Sequence, residues 1–124
     1  MNVVDAGVIV ALVANSLDPE RLGEEELIAP HLIDSEVTNV LRRLASRGIL
    51  TQEQATASFA GFTRLTLSRY AADWLRPRMW ALRDNLSAYD ATYVALAEQF
   101  GATLLTTDAR LASAPGVQCE VEVV

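Results

Sequence analysis

Residues 87–108, with the sequence SAYDATYVALAEQFGATLLTTD, hold the order of elements that decides the fold. Ser87 begins a capping motif that predicts a helix, and Gly101 ends this helix. The apolar run 102–106 is too short for a helix and predicts a buried strand. Asp108 follows the strand and begins another short helix. A helix that leads into a strand, and a strand that leads into a helix, is typical of α/β proteins.

The same alternation continues from this stretch toward both ends of the chain. Apolar runs predict further short strands at 2–4, 27–29, 65–67 and 117–123. Apolar residues at helical spacing predict helices at 6–15, 32–47, 72–85, 89–100 and 108–112. Pro77 predicts that the 72–85 helix is kinked or begins at the proline. The sequence therefore predicts an α/β fold with three α/β/α layers and a mostly parallel central sheet.

Local signals also mark the ends of two helices in the middle of the chain. Gly48 stands where a left-handed residue ends the helix before it. Thr51 and Gln54 have the spacing of a capping box, which predicts the start of the next helix. We expect that helix to place Ala55, Phe59 and Phe62 in the core.

Length and composition exclude several classes of protein. With 124 residues and 51% hydrophobic side chains, the chain is expected to form a single domain over residues 1–124. No apolar run approaches the length of a membrane span, so we expect no membrane association and a cytoplasmic location. The chain has no lysine, which excludes P-loop NTPases and Schiff-base enzymes. The formal net charge of −6 argues against a nucleic-acid binder that relies on a basic face.

Acidic residues follow the predicted strands or begin the predicted helices at four places: Asp5, Glu36, Asp90 and Asp108. Each has an alternative explanation as a helix cap or as a charge favoured near a helix N-terminus, and spacing alone leaves that alternative open. In a parallel sheet, however, all strand-to-helix junctions meet at one edge. Carboxylates gathered there repel one another unless a cation intervenes, and oxygen ligands of this kind bind Mg²⁺ or Mn²⁺.

The four acids thus predict a Mg²⁺ or Mn²⁺ site for phosphate chemistry. We expect Asp5 and Asp90 to be the principal ligands, with Glu36 and Asp108 as further or water-mediated ones. Asn39, three residues after Glu36 on the same helical face, and Thr107, next to Asp108, are candidate supporting residues.

The runs 82–98 and 104–108 resemble PIN-domain ribonuclease toxins of the VapC type, and 3–6 and 29–37 match as well. The resemblance covers nearly the whole chain and implies that the four acids are the catalytic, metal-binding set. It also implies Mg²⁺- or Mn²⁺-dependent endonucleolytic cleavage of RNA, leaving a 5′-phosphate and a 3′-hydroxyl, and inhibition of translation. A VapB-type antitoxin and a homodimer are the partners it implies. The chain departs from the family at Gly7, which is often Ser, Asn or Thr, and at Ala109, which is often basic.

Two other functions remain as alternatives. The first is a PIN-like module that binds a partner without catalysis, although it would have no reason to keep all four acids. The second is a small phosphatase or phosphotransfer domain that uses Asp5, although its hydrolase version would have a second aspartate where Gly7 stands. Metal affinity measured together with RNA cleavage separates these functions.

Overall fold

The computed structural model describes residues 1–124 and contains five strands and six helices. The strands are β1 Asn2–Val4, β2 Leu27–Pro30, β3 Ser68–Tyr70, β4 Thr103–Thr106 and β5 Val121–Val123. The helices are α1 Ala6–Val13, α2 Leu32–Ser46, α3 Gln52–Arg64, α4 Arg76–Ala81, α5 Ala88–Phe100 and α6 Ala109–Ala112. Two short 3-10 turns, Pro19–Leu22 and Asp73–Leu75, complete the regular structure.

The five strands form one sheet in the order β3-β2-β1-β4-β5, and every pair is parallel. This confirms the predicted α/β class, with a sheet that is entirely rather than mostly parallel. Val3 on the central strand pairs with Ile28 on one side and with Leu104 on the other. All three of these side chains are fully buried, as expected when helices cover both faces of a sheet.

The helices form two layers that enclose the sheet. On one face, α1, α2 and α3 pack against one another, while α5 packs on β1, β2 and β4 and carries α4 against it. The chain moves from β1 through β2 to β3 in one direction, and the connection that carries α4 and α5 returns from β3 to β4, and then on to β5, in the other. Right-handed crossovers therefore put the two sets of helices on opposite faces. The strand order reverses between β1 and β4, which is where open parallel sheets leave a crevice for ligands.

Helix α5 is the most deeply packed helix in the protein. Seven successive residues, 91–97, are buried, so the helix is enclosed on all sides. Ser87 caps its first turn and Gly101, with φ of 60°, ends it in the left-handed conformation, as the sequence predicts. The capping box of Thr51 and Gln54 is also present on α3.

Several predicted boundaries of elements are wrong, and so is the predicted burial of one side chain. The third strand lies at 68–70 rather than 65–67, and the last is confined to 121–123. Phe59 is 41% exposed, and Ser58 faces the interior in its place. Pro77 stands in the first turn of α4, where its missing N–H leaves no hydrogen bond unmade, so the helix begins there instead of being kinked. None of the six helices combines the length and the apolar character that a membrane span requires.

Candidate active site

The four acids stand around the reversal in strand order. Asp5 directly follows β1, and Asp108 comes two residues after the end of β4, so these two flank the crevice. Glu36 lies in the second turn of α2, and Asp90 lies in the first turn of α5. Parallel strand topology is what brings residues so distant in sequence to one edge of the sheet.

Asp5 is both a helix cap and the most embedded acid of the group. Its Oδ1 accepts the backbone N–H of Val8 at 3.0 Å, and its Oδ2 accepts the hydroxyl of Thr106. Burial raises the pKa of the Asp5 carboxyl, and the charges of Asp90 and Asp108 raise it further, while the two hydrogen bonds act in the opposite direction. The capping role and a role at the site are therefore compatible in one side chain.

Thr106 links two of the acids through a single buried hydroxyl. The group donates to Asp5 and accepts the backbone N–H of Asp108 at 3.0 Å, and the residue is fully buried. The sequence analysis named Thr107, next to Asp108, as a supporting residue and did not single out Thr106. Register decides between the two threonines, because Val4 pairs with Leu105 and the following residue then stands level with Asp5. Nothing in the sequence alone gives that register.

Thr107 is exposed, and its hydroxyl makes no hydrogen bond within the protein. It lies beside Gly7: a Cβ atom built on that glycine would come within 2.6 Å of Thr107 Oγ1 and 3.5 Å of Asp5 Oδ1. The space that a side chain at position 7 would need is thus taken by a hydroxyl that follows the neighbouring strand β4.

Glu36 is held by a residue that sequence reasoning missed. The hydroxyl of Tyr93 donates to Glu36 Oε1 at 2.7 Å, and the tyrosine is 2% exposed. Burial raises the pKa of Glu36 and the Tyr93 hydroxyl lowers it, while burial and the adjacent carboxylate raise the pKa of Tyr93 above its usual range. A signal was available in the sequence, since Tyr93 stands three residues after Asp90 and so shares its helical face.

Asp90 lines a cleft of about 450 Å³. Ser87 Oγ accepts the backbone N–H of Asp90 at 3.1 Å and so caps the helix through the backbone of Asp90. Burial raises the pKa of the Asp90 carboxylate and the charge of Asp108 raises it further, while the Ser87 hydroxyl and the charge of Arg110 act in the opposite direction. Asp108 and Arg110 line the same cleft, together with Asn85.

Asp108 differs from the other three acids because it has a cationic partner. Arg110 Nε lies 3.0 Å from Asp108 Oδ1, and Arg110 Nη2 lies 2.7 Å from Oδ2. The backbone N–H of Arg110 also donates to Oδ1 at 3.0 Å, as a helix cap. These hydrogen bonds hold the pKa of Asp108 below its usual value.

The structure does not bring Asn39 to the acids. Its Oδ1 accepts from Arg42 Nε at 3.2 Å and from Arg42 Nη2 at 2.9 Å, within the same helix. Both residues line a separate open cleft with Asp34. Asn39 stands at the expected helical spacing from Glu36. Its exposed side chain, however, bonds to Arg42 rather than to an acid of the site.

The four acids supply the oxygen donors that a hard divalent cation prefers, but they do not form a complete coordination shell. No three acidic, histidine or cysteine side chains are gathered closely enough to hold one ion among them. Asp5, Glu36 and Asp108 are each turned toward a hydrogen-bond partner. Mg²⁺, however, is commonly held by only one or two carboxylates, with water completing its shell. Carboxylates whose pKa values are raised by burial and by one another are those that a cation would stabilise in the charged form.

Comparison with known proteins identifies the family. The sequence profile of the PIN domain matches residues 3–117. Ribonuclease VapC9 of Mycobacterium tuberculosis is 42% identical over 125 aligned residues, which cover 100% of this chain and 98% of the relative. This chain belongs to the VapC ribonucleases of the PIN-domain family. Ribonuclease VapC1 of the same organism is 39% identical over 135 aligned residues, which cover 98% of this chain and 96% of that protein.

Solved structures agree on the PIN fold. The crystal structure of M. tuberculosis VapC20, described as a "Sarcin-Ricin loop cleaving toxin", matches with a TM-score of 0.66. The two sequences are 19% identical, and the match covers 95% of this chain and 97% of VapC20. At this level of identity the likeness concerns the architecture alone. These comparisons confirm the resemblance to VapC-type PIN domains and the predicted three-layer fold.

Proposed function

We propose that this VapC ribonuclease is a Mg²⁺- or Mn²⁺-dependent endoribonuclease, the toxin of a type II toxin–antitoxin pair, with Asp5, Glu36, Asp90 and Asp108 as its catalytic acids. One observation carries the proposal: the four acids lie around the reversal in strand order, and three have pKa values raised by burial and by the charges of the other acids. The carboxylates of Asp5 and Asp108 accept capping bonds, whereas the cap at Ser87 binds the backbone of Asp90 and the Glu36 carboxylate accepts from Tyr93.

When bound, a divalent cation lowers the pKa of water and offsets negative charge that develops on a phosphodiester. Asp5 and Asp90 are the residues we expect to hold it, with Glu36 and Asp108 contributing directly or through water. Thr106 fixes the orientation of Asp5, so it serves as a positioning residue. Tyr93 fixes Glu36 in the same way, and its buried hydroxyl leaves the other carboxylate oxygen free.

The partners follow from the same proposal. RNA is the substrate, a VapB-type antitoxin neutralises the protein, and the toxin works in the cytoplasm as a homodimer. Residues 1–124 form a single PIN domain in this proposal. Inhibition of translation then results from cleavage of RNA, with a 5′-phosphate and a 3′-hydroxyl on the products.

The proposal is tested by incubating the purified chain with a broad RNA pool and Mn²⁺ or Mg²⁺. We expect fragments with 5′-phosphates, their loss with EDTA, and their return when metal is added in excess. Asp90→Asn, which keeps the Ser87 cap on the backbone, should give no fragments in any condition. Fragments that persist in EDTA would contradict the metal dependence. Release of inorganic phosphate from small phosphate esters, without RNA cleavage, would favour the phosphatase alternative.

A further inference from the structure

Arg110 forms the only ion pair made by any of the four acids. Its guanidinium reaches both oxygens of Asp108, with Nε at 3.0 and 3.2 Å and Nη2 at 2.7 Å. A cation therefore already occupies one acid at the edge of the site where a metal ion would bind.

The exposure of this ion pair allows a divalent cation to replace the arginine. The Arg110 side chain is 87% exposed, and the Asp108 side chain is 31% exposed. Arg110 is the second residue of the four-residue helix α6, and its guanidinium has no other protein partner. Water and salt screen exposed pairs of this kind, so they contribute little to the stability of the fold. A divalent cation that binds Asp108 would displace the arginine at small cost.

The released guanidinium would still lie at the mouth of the cleft. Arg110 lines this cleft of about 450 Å³ with Asp90 and Asn85, and its charge already influences the Asp90 carboxylate. A planar guanidinium presents paired donors that match the oxygens of a phosphate. In a chain with a net charge of −6 and no lysine, few groups can serve this purpose at the acidic edge.

We propose that Arg110 is a displaceable counter-ion: it holds Asp108 in the metal-free protein, leaves when a divalent cation binds, and then binds a phosphate of the RNA. This inference rests on the proposed function and adds the residue that receives the substrate. It also accounts for the orientation of Asp108, which is turned toward Arg110 in the metal-free protein.

The first half is tested by titrating the protein with Mn²⁺ in a calorimeter, without RNA. Arg110→Gln should bind Mn²⁺ several-fold more tightly than the wild type, because the metal no longer competes with the guanidinium. Arg21→Gln is the matched control, because this substitution removes the same charge. Arg21 lies in the turn before β2, at the edge of the sheet opposite the acids. Equal or weaker Mn²⁺ binding by Arg110→Gln, relative to Arg21→Gln, would overturn the proposal.

The second half is tested with an RNA that the wild type cleaves, at saturating Mn²⁺. Arg110→Gln should raise KM several-fold with a smaller change in kcat. The dependence of log kcat/KM on log salt should become shallower by about 0.7, the slope expected for one phosphate contact on a single strand. An unchanged KM and salt slope would overturn the phosphate role.

The outcomes separate this inference from the function on which it rests. A wild-type protein that neither binds Mn²⁺ nor cleaves RNA would mean that the proposed function is wrong. A wild type that does both, while Arg110→Gln behaves like Arg21→Gln, would leave the ribonuclease intact and remove only the counter-ion.

Discussion

Tyr93 and Thr106 are the side chains that connect the acids to the core. Each is almost completely buried, and each donates its hydroxyl hydrogen to a carboxylate from another element. Hydrogen bonds to a charged group are about twice as strong as those between neutral groups, so these contacts also fix the rotamers of Asp5 and Glu36. Orientation of this kind is what a metal ligand needs from its neighbours.

The Tyr93 contact gives a prediction that depends on pH. Tyr93→Phe removes the hydrogen bond that lowers the pKa of Glu36, so that pKa should rise further. Apparent Mn²⁺ affinity, measured by calorimetry, should then fall more in the acidic range than at neutral pH. Tyr70→Phe is the control, because the Tyr70 hydroxyl makes no hydrogen bond and its ring packs on Phe100. An equal loss of affinity at every pH would contradict a role through Glu36.

Gly7 and Thr107 are expected to be coupled. In a helix, replacing Gly by Ala normally stabilises the fold by about 1 kcal/mol, but here the new Cβ would meet Thr107 Oγ1 at 2.6 Å. Gly7→Ala should therefore stabilise the protein more in a Thr107→Ala background than in the wild type. Free energies of unfolding for the two single variants and the double variant measure this coupling. Strictly additive values would show that the two residues do not compete for space.

At the scale of elements, the helix ends marked by a cap were predictable because their signals are local, whereas the helix expected at 72–85 is confined to 76–81. Ser87, Thr51 and Gly101 act within three or four residues of chain, and each occupies its expected place. The position of β3 was not predictable in this way. Its residues 68–70 are only partly buried, so the more apolar run before them gave the stronger signal although pairing with β2 selects the later one.

The cap on α5 is predicted to matter for the site as well as for stability. Ser87→Ala should lower the free energy of unfolding by about 1 kcal/mol, the usual loss for an N-cap, and should weaken Mn²⁺ binding because Asp90 lies in the uncapped turn. Thr51→Ala is the matched control, since it removes the cap of α3 away from the acids. Chemical denaturation and metal titration of both variants separate the two effects. Weaker Mn²⁺ binding by both would mean that the loss is general.

For the whole molecule, the sequence predicted the parallel α/β fold and the edge at which the acids meet. Alternating strands and helices require that edge whatever the register of the strands. The sequence did not predict which neighbours orient the acids. Thr106 was missed because strand register determines which threonine lies beside Asp5. Asn39 does not support the acids because its exposed amide accepts hydrogen bonds from Arg42. Long-range pairing is the information that local patterns lack.

Stability without metal should depend on pH in a direction set by the site. Asp5, Glu36 and Asp90 have folded-state pKa values raised above the ordinary 3.8 or 4.5. Their contribution to the stability of the fold is therefore present at pH below those ordinary pKa values. It is lost as the pH rises through the folded-state pKa values. In EDTA, Tm should fall from the mildly acidic range toward neutral pH, and excess Mn²⁺ should restore it.

Two variants show whether the site or the net charge causes this dependence. Asp5→Asn should flatten the fall in Tm, because it removes the most embedded carboxylate. Glu24→Gln, which removes one charge from the exposed loop before β2, should leave the slope nearly as it was. Equal flattening by both variants would assign the effect to general repulsion in a chain of net charge −6.

The central claim is that the four acids act together as a metal site for RNA cleavage and are not only helix caps. The most direct measurement is Mn²⁺ binding and RNA cleavage on the same preparations of wild type and Asp90→Asn, with Tm recorded in EDTA. We predict that the variant loses most of its Mn²⁺ affinity and all cleavage, while its metal-free Tm is unchanged or slightly higher, because one charge leaves a repulsive cluster. A metal-free Tm several degrees lower, with Mn²⁺ affinity and cleavage retained, would contradict the account and return Asp90 to the role of a cap.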